Sequence, residues 1–149
     1  MFNPDTAPAS VYMPSFETAA RSLKVVAIPA PVRSDVEIET AITPLGREPG
    51  GGFVVMPDLW TVAHRAAIIL AAARSNVPAV YWQSDYVRDG GLLAYGVDRV
   101  DIFRRAASYV DRILRGEKPG DLPVQFPTKF EMVVNRKTAD DWLAKHCSH

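Results

Sequence analysis

What most constrains this chain is its punctuation. Short apolar runs rich in β-branched residues alternate with longer stretches of helical periodicity, and proline or glycine stands at nearly every junction. The runs are Lys24–Pro29, Phe53–Met56, Ala79–Trp82, Leu92–Tyr95 and Lys129–Asn135. Phe53–Met56 carries no polar residue at all, the pattern of a strand covered on both faces. Strands this short, separated by helices, make β/α units. The fold class they predict is α/β, a three-layer, mainly parallel, Rossmann-like sheet with helices on both faces, formed by residues 1–149 as a single lobe. The 149 residues suffice for one core, and the 12 prolines and 9 glycines argue against a plain helix bundle.

The intervening helices have readable ends. Val11, Phe16, Ala19, Ala20 and Leu23 recur at helical spacing behind a Ser10 cap, with Pro14 close to the start. Ser34 and Asp35 cap a second helix over Val36–Leu45, whose acidic first turn suits the positive end of the helix dipole. Trp60–Arg74 is mostly Ala, Ile and Leu, and should pack at the centre of the domain. Asp98 caps a helix to about Arg115 with Val100, Phe103, Ala106, Ala107, Val110, Ile113 and Leu114 on one face, and Gly116 and Pro119 end it. A last helix covers Lys137–Lys145.

Charge removes several functions. Lys plus Arg equals Asp plus Glu at 17 each, with no clustered basic stripe, so nucleic acid is not an expected partner. Mean hydropathy is -0.03 and no apolar run is long enough to span a bilayer. The single cysteine, Cys147, rules out an internal disulfide. Met1–Asp5 has neither a basic nor an apolar leader, so the chain as written is expected in the cytoplasm.

Few residues suggest chemistry. The glycines at 50–52 precede their strand, whereas phosphate cradles follow one and open a helix. Asp58 stands between a strand and a helix, where it can serve as a phosphoacceptor, a cation ligand or simply the cap of the helix beginning near Trp60. His64, six residues on, reads as a helix-surface residue, and an enzyme working from Asp58 and His64 is the weakest reading. His146, Cys147 and His149 make at most an adventitious metal site. The nucleophile elbow, the phosphate loop, the zinc helix and paired cysteines are all missing, so neither catalysis nor a cofactor is expected.

In an open parallel sheet, ligands gather beyond the carboxyl ends of the strands. Those positions are Pro57–Asp58, Gln83–Tyr86 and Gly96–Asp98. Trp60, Trp82, Ser84, Asp85, Tyr86 and Tyr95 gather aromatic and polar groups there. They suit a pocket for a small organic or amino-acid-like ligand, although strand propensity explains the aromatics equally well.

At these residues the sequence resembles the carboxyl-terminal part of the ABC-transporter substrate-binding proteins of the TrpX-like "ABC sub bind" family, which have a type 1 periplasmic-binding fold. Phe2–Pro8, Ser15–Arg21, Gly51–Asp58, Gly90–Gly96, Phe103–Leu114, Gly120–Gln125 and Pro127–Glu131 carry the resemblance in order, over about residues 2–139. It implies a two-lobed protein that closes on a small solute and delivers it to an ABC permease, with no enzymatic activity and a periplasmic location for the whole protein. It further implies that Asn3, Asp5, Thr6, Pro57, Asp58, Ser84, Tyr86 and Tyr95 face the cleft, with an amino acid as the family-level solute.

A whole family member would be about twice as long, with a signal peptide and an amino-terminal lobe. Met1–Phe2 resembles the last step of the strand that precedes the Asn-Pro-Asp loop. Losing the rest of that strand leaves its two neighbours with unpaired backbone groups, at about 1 to 3 kcal/mol per buried group. Residues 140–149 depart from the family pattern. A second expectation follows: a self-associating module derived from such a lobe, and therefore a homo-oligomer.

Overall fold

The computed structural model describes residues 1–7, 9–47 and 50–146. The expected Ser10 side-chain cap, the Glu48-Pro49 part of the turn, and Cys147 and His149 lie outside the described residues and side chains.

Helix α1 spans Ala9–Ser22, α2 Asp35–Ile42, α3 Leu59–Ala63, α4 Arg65–Ser75, α5 Ser84–Arg88, α6 Arg99–Leu114 and α7 Arg136–His146. The strands are β1 Phe53–Val54, β2 Ala79–Tyr81, β3 Leu93–Val97 and β4 Phe130–Val134. They form one sheet in the order β1-β2-β3-β4, flanked by helices. The pairs β1–β2 and β2–β3 are parallel, as the β/α alternation dictates. Strand β4 is antiparallel to β3, in a register from Leu93 opposite Val134 to Val97 opposite Phe130.

Local chemistry sets the helix limits. Ser34 accepts the Glu37 N–H at 3.2 Å, and the Glu37 carboxylate reaches back to the Arg33 N–H at 2.8 Å, a reciprocal cap on α2. Gly116, at φ +100°, closes α6: its N–H meets Ile113 O at 2.9 Å and the Glu117 N–H meets Arg112 O at 3.1 Å, the two bonds of a Schellman end. Asn76, left-handed at φ +57°, ends α4 in the same way. The expected single helix from Trp60 to Arg74 breaks at His64, whose ψ of 16° separates α3 from α4.

The core lies between the sheet and the helices α2 and α4. Val32, Ile38, Ile42, Val55, Ile68 and Tyr81 are buried in it. Two expected elements depart from this packing. Residues 25–30 belong to no helix and no ladder, and Val25, Val26 and Ile28 are 57%, 85% and 75% exposed. At its end Phe2 bridges Pro31 in parallel. Helix α6 has no buried residue; Phe103 and Leu114 are 74% and 81% exposed. Its apolar face is exposed, and its polar side lies against the segment at residues 123–128. There Arg105 holds Gln125 at 2.6 Å, and the Tyr109 hydroxyl donates to Pro123 O at 2.6 Å.

Candidate functional site

The carboxyl ends of Met1–Phe2, β1 and β2 open on one side of the sheet. The loop at residues 3–7 leaves the first of these and folds over Asp58. Asp58 is the N-cap of α3: its Oδ1 accepts the Trp60 N–H at 3.0 Å and the Thr6 hydroxyl at 2.8 Å, while Oδ2 accepts the Asn3 N–H at 3.1 Å. Within the loop the Asn3 side-chain oxygen accepts the Asp5 N–H at 2.9 Å. Asp58 therefore serves as the cap the sequence allowed, and as the clasp of a neighbouring loop.

This arrangement brings Asn3, Asp5, Thr6, Pro57 and Asp58 together. Asn3 and Asp58 are buried and act as scaffold, whereas Asp5, Thr6 and Pro57 are exposed. Asp5 pairs with Arg33 at 3.0 Å across the loop, and the Tyr12 hydroxyl donates to Pro57 O at 2.8 Å. Burial, and then the negative charge of Asp58, hold the Tyr12 hydroxyl above its ordinary pKa.

Ser84 lies one strand over and begins α5, half-buried. Its neighbour Asp85 is held by Gln83, by Arg99 at 2.6 Å and by Arg88 at 2.9 Å. The Gln83 hydrogen bond, with the two guanidinium groups behind it, keeps the Asp85 carboxyl below its usual range against the opposing effect of burial. Gly96 lets β3 pass this point, since a Cβ there would lie 2.0 Å from Trp82 O. The space bounded by Trp82, Gln83, Ser84, Arg99 and Glu131 is about 10 Å³, room for one water.

Two expected residues sit elsewhere. Tyr86 is fully buried beneath the rim, its ring stacked on Tyr81 at 4.7 Å, and burial raises its pKa. Its hydroxyl and the Trp82 indole N–H are buried with no hydrogen-bond partner among the described residues. Tyr95 is mid-strand rather than at a strand end, because pairing with β4 carries β3 on to Val97; its ring stacks on Phe130 at 6.0 Å and is exposed. His64 pairs with Asp35 at 2.7 Å and stacks on Trp60 at 3.9 Å, so it makes no dyad with Asp58.

Sequence reading missed Arg33, Arg99 and Tyr12. Arg33 lies two residues after the bridge at Pro31, so the strand-end rule would have found it had the strand been placed at residues 30–32 instead of ending at Pro29. Tyr12 gave no local signal, since its partner Pro57 is 45 residues away. A roomier cavity of about 200 Å³ lies at the opposite, amino-terminal ends of the parallel strands, between α4 and α7. No group of three or more potential metal ligands occurs among the described residues.

A model of the ABC transporter substrate binding protein family matches residues 1–143. Among solved structures, a conserved domain protein from Vibrio cholerae is 23% identical with a TM-score of 0.80, covering 95% of this chain and 47% of that one. An ABC domain in complex with L-Trp from Streptococcus pneumoniae is 20% identical with a TM-score of 0.80, covering 95% and 48%. A ligand-free, open substrate-binding protein with adhesive properties from Clostridium difficile is 17% identical with a TM-score of 0.70, again covering 95% and 48%. The chain thus spans about half the length of the solved structures it matches. No curated protein matches it.

Proposed function

Since this chain belongs to the family of ABC transporter substrate-binding proteins, we propose that it is one lobe of a solute-binding component. It holds one side of a small amino-acid-like solute at the rim formed by Asn3–Thr6, Pro57–Asp58 and Ser84–Asp85, for delivery to an ATP-driven permease. The observation that carries this reading is the Asp58 clasp, which ties two strand-end loops into one rigid edge before any ligand arrives. Along that edge Asp5 with Arg33 and Asp85 with Arg99 present paired carboxylate and guanidinium groups, the complements of an ammonium and a carboxylate. The L-Trp held by the pneumococcal structure supports an amino acid as the solute class. Tyr86 supports the rim from below, and Tyr95 lies outside it. With the whole protein the location is periplasmic.

A site closed by two lobes buries most of its ligand, so one lobe alone should bind weakly. Titrating amino acids while following Trp60 and Trp82 fluorescence tests this: weak saturable quenching by an amino acid supports it, and no response to any amino acid contradicts it.

The exposed apolar face of α6 favours a second reading, a self-associating module in which two copies cover that face. Light scattering decides, since a monodisperse monomer would remove this reading.

A further inference from the structure

The cavity between α4 and α7 shares no residue with the solute rim. One wall is the α4 surface of Ile69, Ala72 and Ala73, another is Tyr81 with the turn at Gly90–Leu92, and α7 closes the third side. The alanines leave the first wall short of side chain. Gly91 brings the turn against Tyr81, since a Cβ there would lie 2.6 Å from that ring. Helix α7 is kept from sinking into the gap. The Thr138 hydroxyl donates to Gly90 O at 3.0 Å and the Trp142 indole N–H to Asn76 O at 3.2 Å, two hydrogen bonds one turn apart that fix its height. About 200 Å³ stays open as a result, where protein interiors leave few voids larger than a water molecule.

The walls offer water little. Gly90 O and Asn76 O are taken by α7, and the Val77 and Gly91 N–H groups are taken by Ala72 O at 3.0 Å and Tyr86 O at 2.8 Å. Pro78 has no N–H, and its carbonyl accepts from Phe53 at 3.1 Å. Ile69, Ala72, Val77 and Ala79 are buried and have only carbon side chains to turn to the space. An apolar cavity of about 150 Å³ with no polar partners stays dry and takes a benzene-sized guest.

We propose that this cavity is a second ligand site, which takes a small neutral aromatic molecule of one or two fused rings. A flat ring suits a space bordered by the α4 alanines on one side and the Tyr81 and Trp142 rings on the others. A single N–H or O–H on that ring can turn to the mouth, where Asp141 and Lys145 stand exposed, one turn apart on α7. Charged ligands are disfavoured. The two side chains at the mouth cancel in charge, and ion contacts made by exposed, flexible side chains return little of a ligand's lost hydration. The affinity comes from burying the ring, so the cavity and the rim take different chemical classes, and the site does not depend on solute binding at the rim.

Indole titrated into the full chain, with amide chemical shifts as the readout, tests this. Shifts are expected at Asn76, Val77, Ala79, Gly90–Leu92 and Thr138–Lys145, saturating at millimolar indole or below, with Asn3–Thr6 unmoved. L-Tryptophan, which adds an ammonium and a carboxylate to the same ring, should bind there about tenfold more weakly or not at all. Two variants locate the site. Ala72→Leu fills the space from its buried wall, and Ala73→Leu narrows it from an exposed position where the fold tolerates a larger side chain. Each should weaken indole binding by about tenfold or more. No saturable shifts, or shifts centred elsewhere, would overturn the site. Equal affinity for L-tryptophan would overturn the neutral class, and undiminished indole binding by Ala73→Leu would overturn the cavity as the place of binding.

Discussion

The hydroxyl of Thr6 donates to the Asp58 carboxylate at 2.8 Å across 52 residues of chain, so the loop at residues 3–7 is held by the cap of α3. Removing this carboxylate strands three donors at once: the Asn3 and Trp60 N–H groups and the Thr6 hydroxyl. Asp58→Ala should therefore destabilise the chain by about 2 to 4 kcal/mol. Asp58→Asn, which keeps one acceptor oxygen, should lose less, and Thr6→Val about 1 kcal/mol. Urea denaturation of the two single variants and the double variant measures the coupling, which should be positive because the pair is in contact.

Gly96 and Gly116 should respond differently to alanine. A Cβ at Gly96 would lie 2.0 Å from Trp82 O, a rigid backbone atom, so Gly96→Ala must separate β2 from β3. It should cost about 3 kcal/mol or more. Gly116 has open space around it but sits at φ +100°, so Gly116→Ala should cost about 1 kcal/mol through backbone strain alone. Thermal midpoints of the two variants check the order.

Burial pushes the α-amino group of Met1 down to about 6 from its usual 8.0. Between those values the unfolded chain holds a proton that the folded chain has released, so stability rises with pH from about 6 to 8 and levels off above. The gain is about 2 to 3 kcal/mol for this group. Denaturation at several pH values checks it, and Nα-acetylation should remove that part of the slope.

How much of this was legible in the sequence varies with the element. The runs at Phe53, Ala79, Leu92 and Lys129 became strands, and the caps at Ser34, Asp58 and Asp98 all formed, because each depends on residues within a turn or a pleat of one another. Lys24–Pro29 has strand composition yet makes no ladder, since a strand needs a neighbour and composition does not supply one. The antiparallel sense of β4 was hidden for the same reason: it is a property of the return path through residues 115–129, not of the strand. In the site, Pro57–Asp58 and Ser84 followed from the strand-end rule. Asp5 with Arg33 and Tyr12 with Pro57 depend on tertiary approach and left no local mark.

The face of α6 gives a prediction about association. Phe103 and Leu114 are 74% and 81% exposed, so replacing Phe103 by Glu removes little packing within the lobe. Phe103→Glu should change the unfolding free energy by less than about 0.5 kcal/mol. It should also abolish self-association, or association with a second lobe, because it buries a charge in any apolar interface formed there. Sedimentation of wild type and variant over a concentration series checks this.

The most direct test of the solute-binding account is an amide chemical-shift titration of the intact chain with L-tryptophan and other amino acids. The account predicts shifts confined to Asn3–Thr6, Asp58–Trp60 and Ser84–Asp85, saturating weakly, as half a cleft should. Shifts centred instead on Asn76–Ala79 and Thr138–Lys145, around the cavity at the far end of the sheet, would contradict it. So would micromolar binding by a monomer.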